Sequence, residues 1–365
     1  MHAEGRVRHL TYAAALREAL EQAMSADDSV IVIGEGVPDP KAIFGTTAGL
    51  LERFGPQRVF DMPLSENGMT GTCIGAAICG MRPVMIHQRI DFALLAMDQM
   101  VNNAAKWHYM FDGKATVPLV VRTIIGRGWG QGPQHSQGLY GLFAQVPGLK
   151  VVMPSTPRDA KGMLLSAIKD PNPVLFIEHR WLHGVVDDVP IDLYESPIGE
   201  ARVVREGLPD SVTIASLSYA TLEVIEVAKA LSRHMNLEVE VVDIRTVRPL
   251  DYPCIAKSVR KTGRLLVVEP AFESGGISGE LICRLILDAF DSLKVPPLRI
   301  CLPDHPVPTS PYLSENYYPG PQEIADSVMH IMQIPKTHEG YMNLGRALKR
   351  EGRHDAPHRD FSGPF

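Results

Sequence analysis

The stretch Val59–Gly80, V-F-D-M-P-L-S-E-N-G-M-T-G-T-C-I-G-A-A-I-C-G, constrains the fold of this chain more than any other. It opens as a short strand over Val59–Met62, and Pro63 stops that strand because a ring without an N–H cannot continue a ladder. Ser65 can cap a helix, with Glu66 in its first turn. Gly68, Gly71, Thr72, Gly75 and Ala76 follow at helical spacing and give a smooth face on which another backbone or a flat ligand can lie. A carboxylate therefore stands where a strand gives way to a helix, the edge that serves as the ligand crevice of open α/β folds. Taken by itself, Glu66 also reads, and more simply, as a first-turn acid stabilised by the helix dipole.

The rest of the chain alternates strand and helix. A helix is expected over Leu10–Met24, with Thr11 near its cap, and strands over Ser29–Ile33, Arg82–His87, Val117–Ile124, Leu149–Met153 and Val174–Glu178. One long helix is expected over Phe92–Phe111, and another over Pro157–Lys169, where proline suits the first turn. Residues 181–208 lack a sustained period and read as a connection. A second α/β unit follows, with strands at Val212–Leu217, Leu237–Ile244, Leu265–Glu269 and Leu298–Leu302 and helices at Thr221–His234, Gly276–Phe290 and Glu323–Met332. This order predicts an α/β protein of two doubly wound, mainly parallel sheets. The expected boundaries are a first domain over 1–190, a linker over 191–208, a second domain over 209–334 and a tail over 335–365. The tail is polar and basic, with His338, Lys349, Arg350, Arg353, His354, His358 and Arg359, and reads as surface-draped or disordered.

Composition narrows the function. A net charge of −6 argues against an electrostatic nucleic-acid footprint. No apolar run is long enough to cross a membrane, and the N-terminus has no apolar core of a secretory signal. The five cysteines, at positions 73, 79, 254, 283 and 301, include no C-x-x-C pair and no zinc spacing. Buried free thiols in a reduced, cytoplasmic protein are the expectation.

Three further positions are candidates for chemistry. Phe92 ends H-Q-R-I-D-F after a strand, where an aromatic ring can pack on a flat cofactor or simply fill the core. His87 and Arg89 just before it are unusual polar residues for a strand end. His135 lies on the glycine-rich loop that runs from Gly126 to Gly138, where it can reach a site and titrate near neutral pH. That loop fits neither common phosphate-binding spacing.

The string D-M-P-L-S-E-N-G with its small-residue helix, the D-Q-x-x-N-x-A-A-K at 98–106 and Gln134-His135-Ser136-Gln137 together resemble one family. It is the β subunits of the thiamine-diphosphate-dependent E1 component of 2-oxo acid dehydrogenase complexes, related to transketolase. The resemblance covers roughly Thr11 to Met332. It implies a transketolase-like pyrimidine-binding domain followed by a transketolase C-terminal-like domain. It implies that Glu66 binds and activates the aminopyrimidine of thiamine diphosphate, that Phe92 packs on that ring, and that His135 assists acyl transfer to lipoamide at the entrance. It implies a potassium site built largely of carbonyls at Leu119, Ala167, Ile168, Asp170 and Asn172. The segment from Glu269 to Glu280 resembles a structural strand–turn–helix of the family. The wider family holds Mg2+ and the diphosphate with a G-D-G motif, and this chain has none. The resemblance therefore implies a partner, an E1 α subunit that brings Mg2+, in an α2β2 heterotetramer serving a lipoyl acyltransferase E2 and a small 2-oxo acid. Two alternatives stay open: a two-chain transketolase-like or acyloin-forming enzyme, and a catalytically silent assembly subunit.

Overall fold

A computed structural model describes residues 7–128, 130–350 and 352. These form two compact units, one from residues 7–126 and 142–198, the other from residues 127–141 and 199–352. The continuous boundaries read from sequence do not anticipate that the loop 127–141 groups with the second unit.

The first unit begins with β1 (Val7–Thr11) and then a helix over Tyr12–Ala26. Its sheet contains β2 (Val30–Gly34), β3 (Val59–Phe60), β4 (Arg82–His87), β5 (Val120–Ile125), β6 (Lys150–Val152) and β7 (Val174–His179). They lie in the order β6-β7-β5-β4-β2-β3, and each pairing is parallel. β2, V-I-V-I-G, is buried at every position, which is why it shows no polar alternation. The helix over Pro157–Lys169 starts where expected, with Thr156 Oγ1 accepting the Asp159 N–H at 3.1 Å.

In the second unit, β9 (Arg202–Arg205), β10 (Thr213–Ser216), β11 (Glu240–Asp243), β12 (Thr246–Arg248), β13 (Leu265–Phe272) and β14 (Leu298–Leu302) are the strands. Five of them run in the order β14-β13-β10-β11-β9, parallel except where β9 meets β11. Helices over Tyr219–Met235, Tyr252–Thr262, Ile277–Ala289 and Pro321–Ile331 accompany the sheet. Both units have the doubly wound, mainly parallel α/β architecture that alternation predicts.

Several expectations are corrected. Leu10 and Thr11 belong to β1, and Thr11 caps the helix that follows, its Oγ1 accepting the Ala14 N–H at 3.1 Å. β1 pairs antiparallel with β8 (Val186–Pro190), so the segment 181–208 is not merely a connection. β8 escapes periodicity because V-D-D-V-P is exposed over its first three residues and is defined by its partner. The expected helix over Phe92–Phe111 is helical but broken. It runs as an α-turn at Ile90–Ala93, a 3₁₀ turn at Leu94–Ala96, a π-helical stretch at Gln99–Ala104 and an α-helix at Ala105–Met110. Asn102 Nδ2 donates to Asp98 Oδ1 at 2.8 Å and Asn103 Nδ2 to Gln99 Oε1 at 3.1 Å, side-chain pairs four residues apart that link successive turns of the broken helix. The tail is not draped over its described length. Tyr341–Leu348 is a helix whose Leu344 and Leu348 join the core beside Val224 and Val328. A side chain at Gly340 would meet the His234 carbonyl oxygen at 2.0 Å, so only glycine lets this backbone approach. Arg353, His354, His358 and Arg359 lie outside the described residues. Of the five cysteines only Cys73 is buried. Cys79 and Cys283 face solvent at a helix end and on a helix face, and Cys254 and Cys301 are intermediate.

Candidate active site

Glu66 is the first residue of a helix over Glu66–Ile78, entered from β3 through Pro63. Ser65 holds the cap position, but its hydroxyl makes no capping bond; its N–H turns back to the Pro63 carbonyl at 2.7 Å. The Glu66 side chain is 7% exposed. Two other acids stand near it at neighbouring strand ends, Glu35 just past β2 and Asp61 just past β3. Burial pushes the Glu35 carboxyl above its ordinary range, and the charges of Glu66 and Asp61 push it further. Glu35 Oε1 is enclosed with no hydrogen-bond partner among the described residues. Asp61 Oδ1 accepts the N–H groups of Gly36 at 3.0 Å and Met62 at 2.9 Å.

Phe92 lies in the short turn after β4, half-buried, with its N–H donating to the Arg89 carbonyl at 3.1 Å. Gln88 Nε2 donates to the Glu35 carbonyl at 3.1 Å and ties the end of β4 to the end of β2. Because β4, β2 and β3 are adjacent, Glu66, Glu35 and Phe92 come to one C-terminal sheet edge. The small-residue face of the Glu66–Ile78 helix leaves Gly68, Thr72 and Gly75 exposed.

The polar residues flanking Phe92 are buried. His87 closes β4 with its Nε2 unpartnered among the described residues, and burial pushes its imidazole down to about 4. Arg89 and Arg180 are 5% and 3% exposed. Burial brings Arg180 down to about 10, with Arg89 adding repulsion, and its guanidinium lies 4.2 Å from the Phe44 ring centre. Below them, Arg122 Nε donates to Glu178 Oε1 at 2.7 Å, and His183 Nε2 lies 3.0 Å from Glu178 Oε2. Burial opposes the Glu178 charge, yet Arg122 and His183 hold its carboxyl below the ordinary range. Sequence reasoning missed Arg180 and the Arg122–Glu178–His183 network. The available signal was a charge inside an apolar strand, V-V-R-T-I-I and V-L-F-I-E-H.

His135 stands in the second unit and is half-buried. Its loop is held at both ends. Arg127 Nη2 donates to Glu223 Oε1 at 2.9 Å, and Tyr140 Oη donates to Glu269 Oε2 at 2.7 Å. A side chain at Gly138 would come within 2.0 Å of the Pro270 carbonyl oxygen. Glu269 also accepts the N–H groups of Ile277 at 3.1 Å and Ser278 at 2.9 Å, so one buried carboxylate caps a helix and anchors the loop.

The expected cation ligands gather where the Pro157–Lys169 helix ends. The Leu119 carbonyl accepts the Val174 N–H at 2.9 Å, and the Ala167 carbonyl accepts the Asp170 N–H at 3.3 Å. Arg82 Nη1 donates to the carbonyls of Ile168 at 2.8 Å and Asp170 at 3.4 Å. Asn172 Oδ1 is buried without a partner among the described residues, and the Arg82 guanidinium already occupies one lone pair of the Ile168 and Asp170 carbonyls. Among the described residues, no helix is long and apolar enough to cross a membrane.

Comparison with known proteins adds the following. Residues 8–184 match the family described as transketolase, pyrimidine binding domain, and residues 199–324 match transketolase, C-terminal domain. The chain is 41% identical over 336 residues to the acetoin:2,6-dichlorophenolindophenol oxidoreductase subunit beta of Cupriavidus necator, spanning 89% of this chain and 98% of that protein. It is 38% identical over 322 residues to the pyruvate dehydrogenase E1 component subunit beta of Rickettsia felis, spanning 88% of this chain and 98% of that protein. A solved structure described as a split gene transketolase, inactive beta4 tetramer, superposes with a TM-score of 0.72 at 20% identity, over 89% of this chain and 99% of that one.

Proposed function

We propose, for a chain that belongs to the family of E1 β subunits built of transketolase pyrimidine-binding and C-terminal domains, that it is the β half of a thiamine-diphosphate-dependent 2-oxo acid dehydrogenase. The observation that carries this reading is Glu66, a buried carboxylate at the C-terminal edge of a parallel sheet, at the position the family motif assigns to cofactor activation.

Bound thiamine diphosphate would supply the carbon nucleophile and electron sink that decarboxylation of a 2-oxo acid requires. Glu66 would hold and exchange a proton between its carboxyl oxygen and the ring nitrogen of the aminopyrimidine. A glutamine there could donate a hydrogen bond but could not exchange the proton, and an aspartate would fall short by one methylene. Phe92 would pack on the ring face. Glu66 is buried, so its charge is screened less than that of a surface carboxylate. His135 would act at the entrance, handing the acyl group toward a lipoyl acceptor on an E2 partner. Mg2+ and the diphosphate would be held by an α subunit, completing an α2β2 assembly. A potassium ion at Leu119, Ala167, Ile168, Asp170 and Asn172 would brace the helix end and take no part in chemistry.

A second reading has specific support: relatives from Cupriavidus necator and Bacillus subtilis, at 41% and 39% identity, are named for oxidation of acetoin rather than of a 2-oxo acid. The polar edge of His87, Arg89 and Arg180 keeps that substrate in view. The deciding experiment is a substrate panel on the co-expressed α/β pair with an artificial electron acceptor. Turnover of pyruvate or a branched-chain 2-oxo acid above acetoin supports the first reading. Turnover of acetoin alone replaces it with the second. Absence of turnover on every substrate, with cofactor bound, points to a silent assembly subunit.

A further inference from the structure

Glu223 binds two arginines that are far apart in the chain. Its Oε1 accepts Arg127 Nη2 at 2.9 Å and also pairs with Arg350 Nη2. Arg127 and Glu223 are both buried, and the Arg350 side chain is 20% exposed. The Arg127 guanidinium further lies 5.0 Å from the Tyr318 ring centre and 5.6 Å from that of Tyr219.

These contacts join the loop that carries His135 to the C-terminal segment, which the mechanism leaves unused. Arg127 opens the glycine-rich loop whose other end is fixed by Tyr140 on Glu269. Glycines at 128, 130 and 132 take positive φ, and this backbone is held by packing, against Thr309 at Gly132, as well as by the anchors at its ends. Arg350 follows closely on the Tyr341–Leu348 helix, which is packed into the core by Leu344 and Leu348. A carboxylate held from two sides has a fixed rotamer; held from one side it regains freedom, and so does the group it anchors. Losing Arg350 still leaves Glu223 paired with Arg127, so no buried charge is stranded and the fold should survive.

We propose that Arg350, Glu223 and Arg127 act as positioning residues, through which the C-terminal segment sets the order of the loop that carries His135. The ordering of the loop stands apart from any enzymatic reading; its effect on acyl transfer rests on the function proposed above.

The test uses the full chain in complex with its α partner and compares wild type with Arg350→Ala and Arg350→Lys. Amide hydrogen exchange in 127–141 should quicken about tenfold in Arg350→Ala, with β5 and β7 unchanged, and return toward wild type in Arg350→Lys. The rate with a lipoyl acceptor should fall several-fold, while the rate and KM of the 2-oxo acid with an artificial acceptor stay within about twofold. Arg350→Gln gives the same comparison should the alanine variant not fold. Unchanged exchange in 127–141 overturns the proposal. Faster exchange with an unaltered ratio of the two acceptor rates overturns the part concerning His135. Faster exchange in a complex whose wild type turns over no 2-oxo acid upholds the positioning and sinks the functional reading instead.

Discussion

His87 closes β4 with its ring almost fully enclosed, and that enclosure holds the imidazole neutral by bringing its pKa down to about 4. The consequence for stability has a definite sign. Below its ordinary value of 6.5 the unfolded chain takes up a proton that the folded chain refuses until about pH 4. The group's contribution is complete above 6.5 and is lost as pH falls through that window. By pH 5 the loss is about 2 kcal/mol. Denaturant unfolding at pH 7 and pH 5 should therefore show a smaller acid loss in His87→Leu than in wild type; equal losses would refute the assignment. Glu66, Phe92 and His135 could be singled out as candidates from the sequence because each sits in a distinctive local string. Glu35 and Arg180 were not. Glu35 matters only because β2 lies beside β3, and Arg180 only because β7 and β4 flank β5, neighbourhoods that no local string encodes.

At the scale of elements, apolar runs were read well and partner-defined segments poorly. β4, β14 and the Pro157–Lys169 helix have the bounds their patterns predict. β8 and β9 exist through antiparallel pairing, and the tail helix through a core it joins from a distance. The tail helix makes a direct prediction. Leu344→Ala removes a fully buried side chain and should cost about 2–5 kcal/mol in unfolding of the second unit. A cost of a few tenths would mean that the helix is only surface decoration. The cation site predicts a higher thermal midpoint in potassium chloride than in sodium chloride at equal ionic strength. Asn172→Ala should remove that difference, and an equal response to both salts in wild type would dismiss the site.

At the scale of the whole molecule, the function proposed above requires a partner chain. Leu64, Leu95, Tyr109 and Met110 are exposed on the first unit, on or next to elements that pack with the Glu66–Ile78 helix, and the small-residue stripe of that helix is open. Surfaces of this kind suit a partner chain. Together with the missing G-D-G motif they predict that the isolated chain neither binds thiamine diphosphate tightly nor turns over substrate, and that the α/β pair does both. The expectation of a partner came from a motif that is absent; the exposed apolar surface that would suit one is defined only by the fold. The central claim is that Glu66 activates the cofactor by exchanging a proton. The measurement that bears on it most directly is turnover and thiamine diphosphate affinity of the α/β pair carrying Glu66→Gln. The account predicts turnover at least a hundredfold below wild type, with cofactor affinity kept within about tenfold because the amide still reaches the ring nitrogen. Turnover within about threefold of wild type would contradict it.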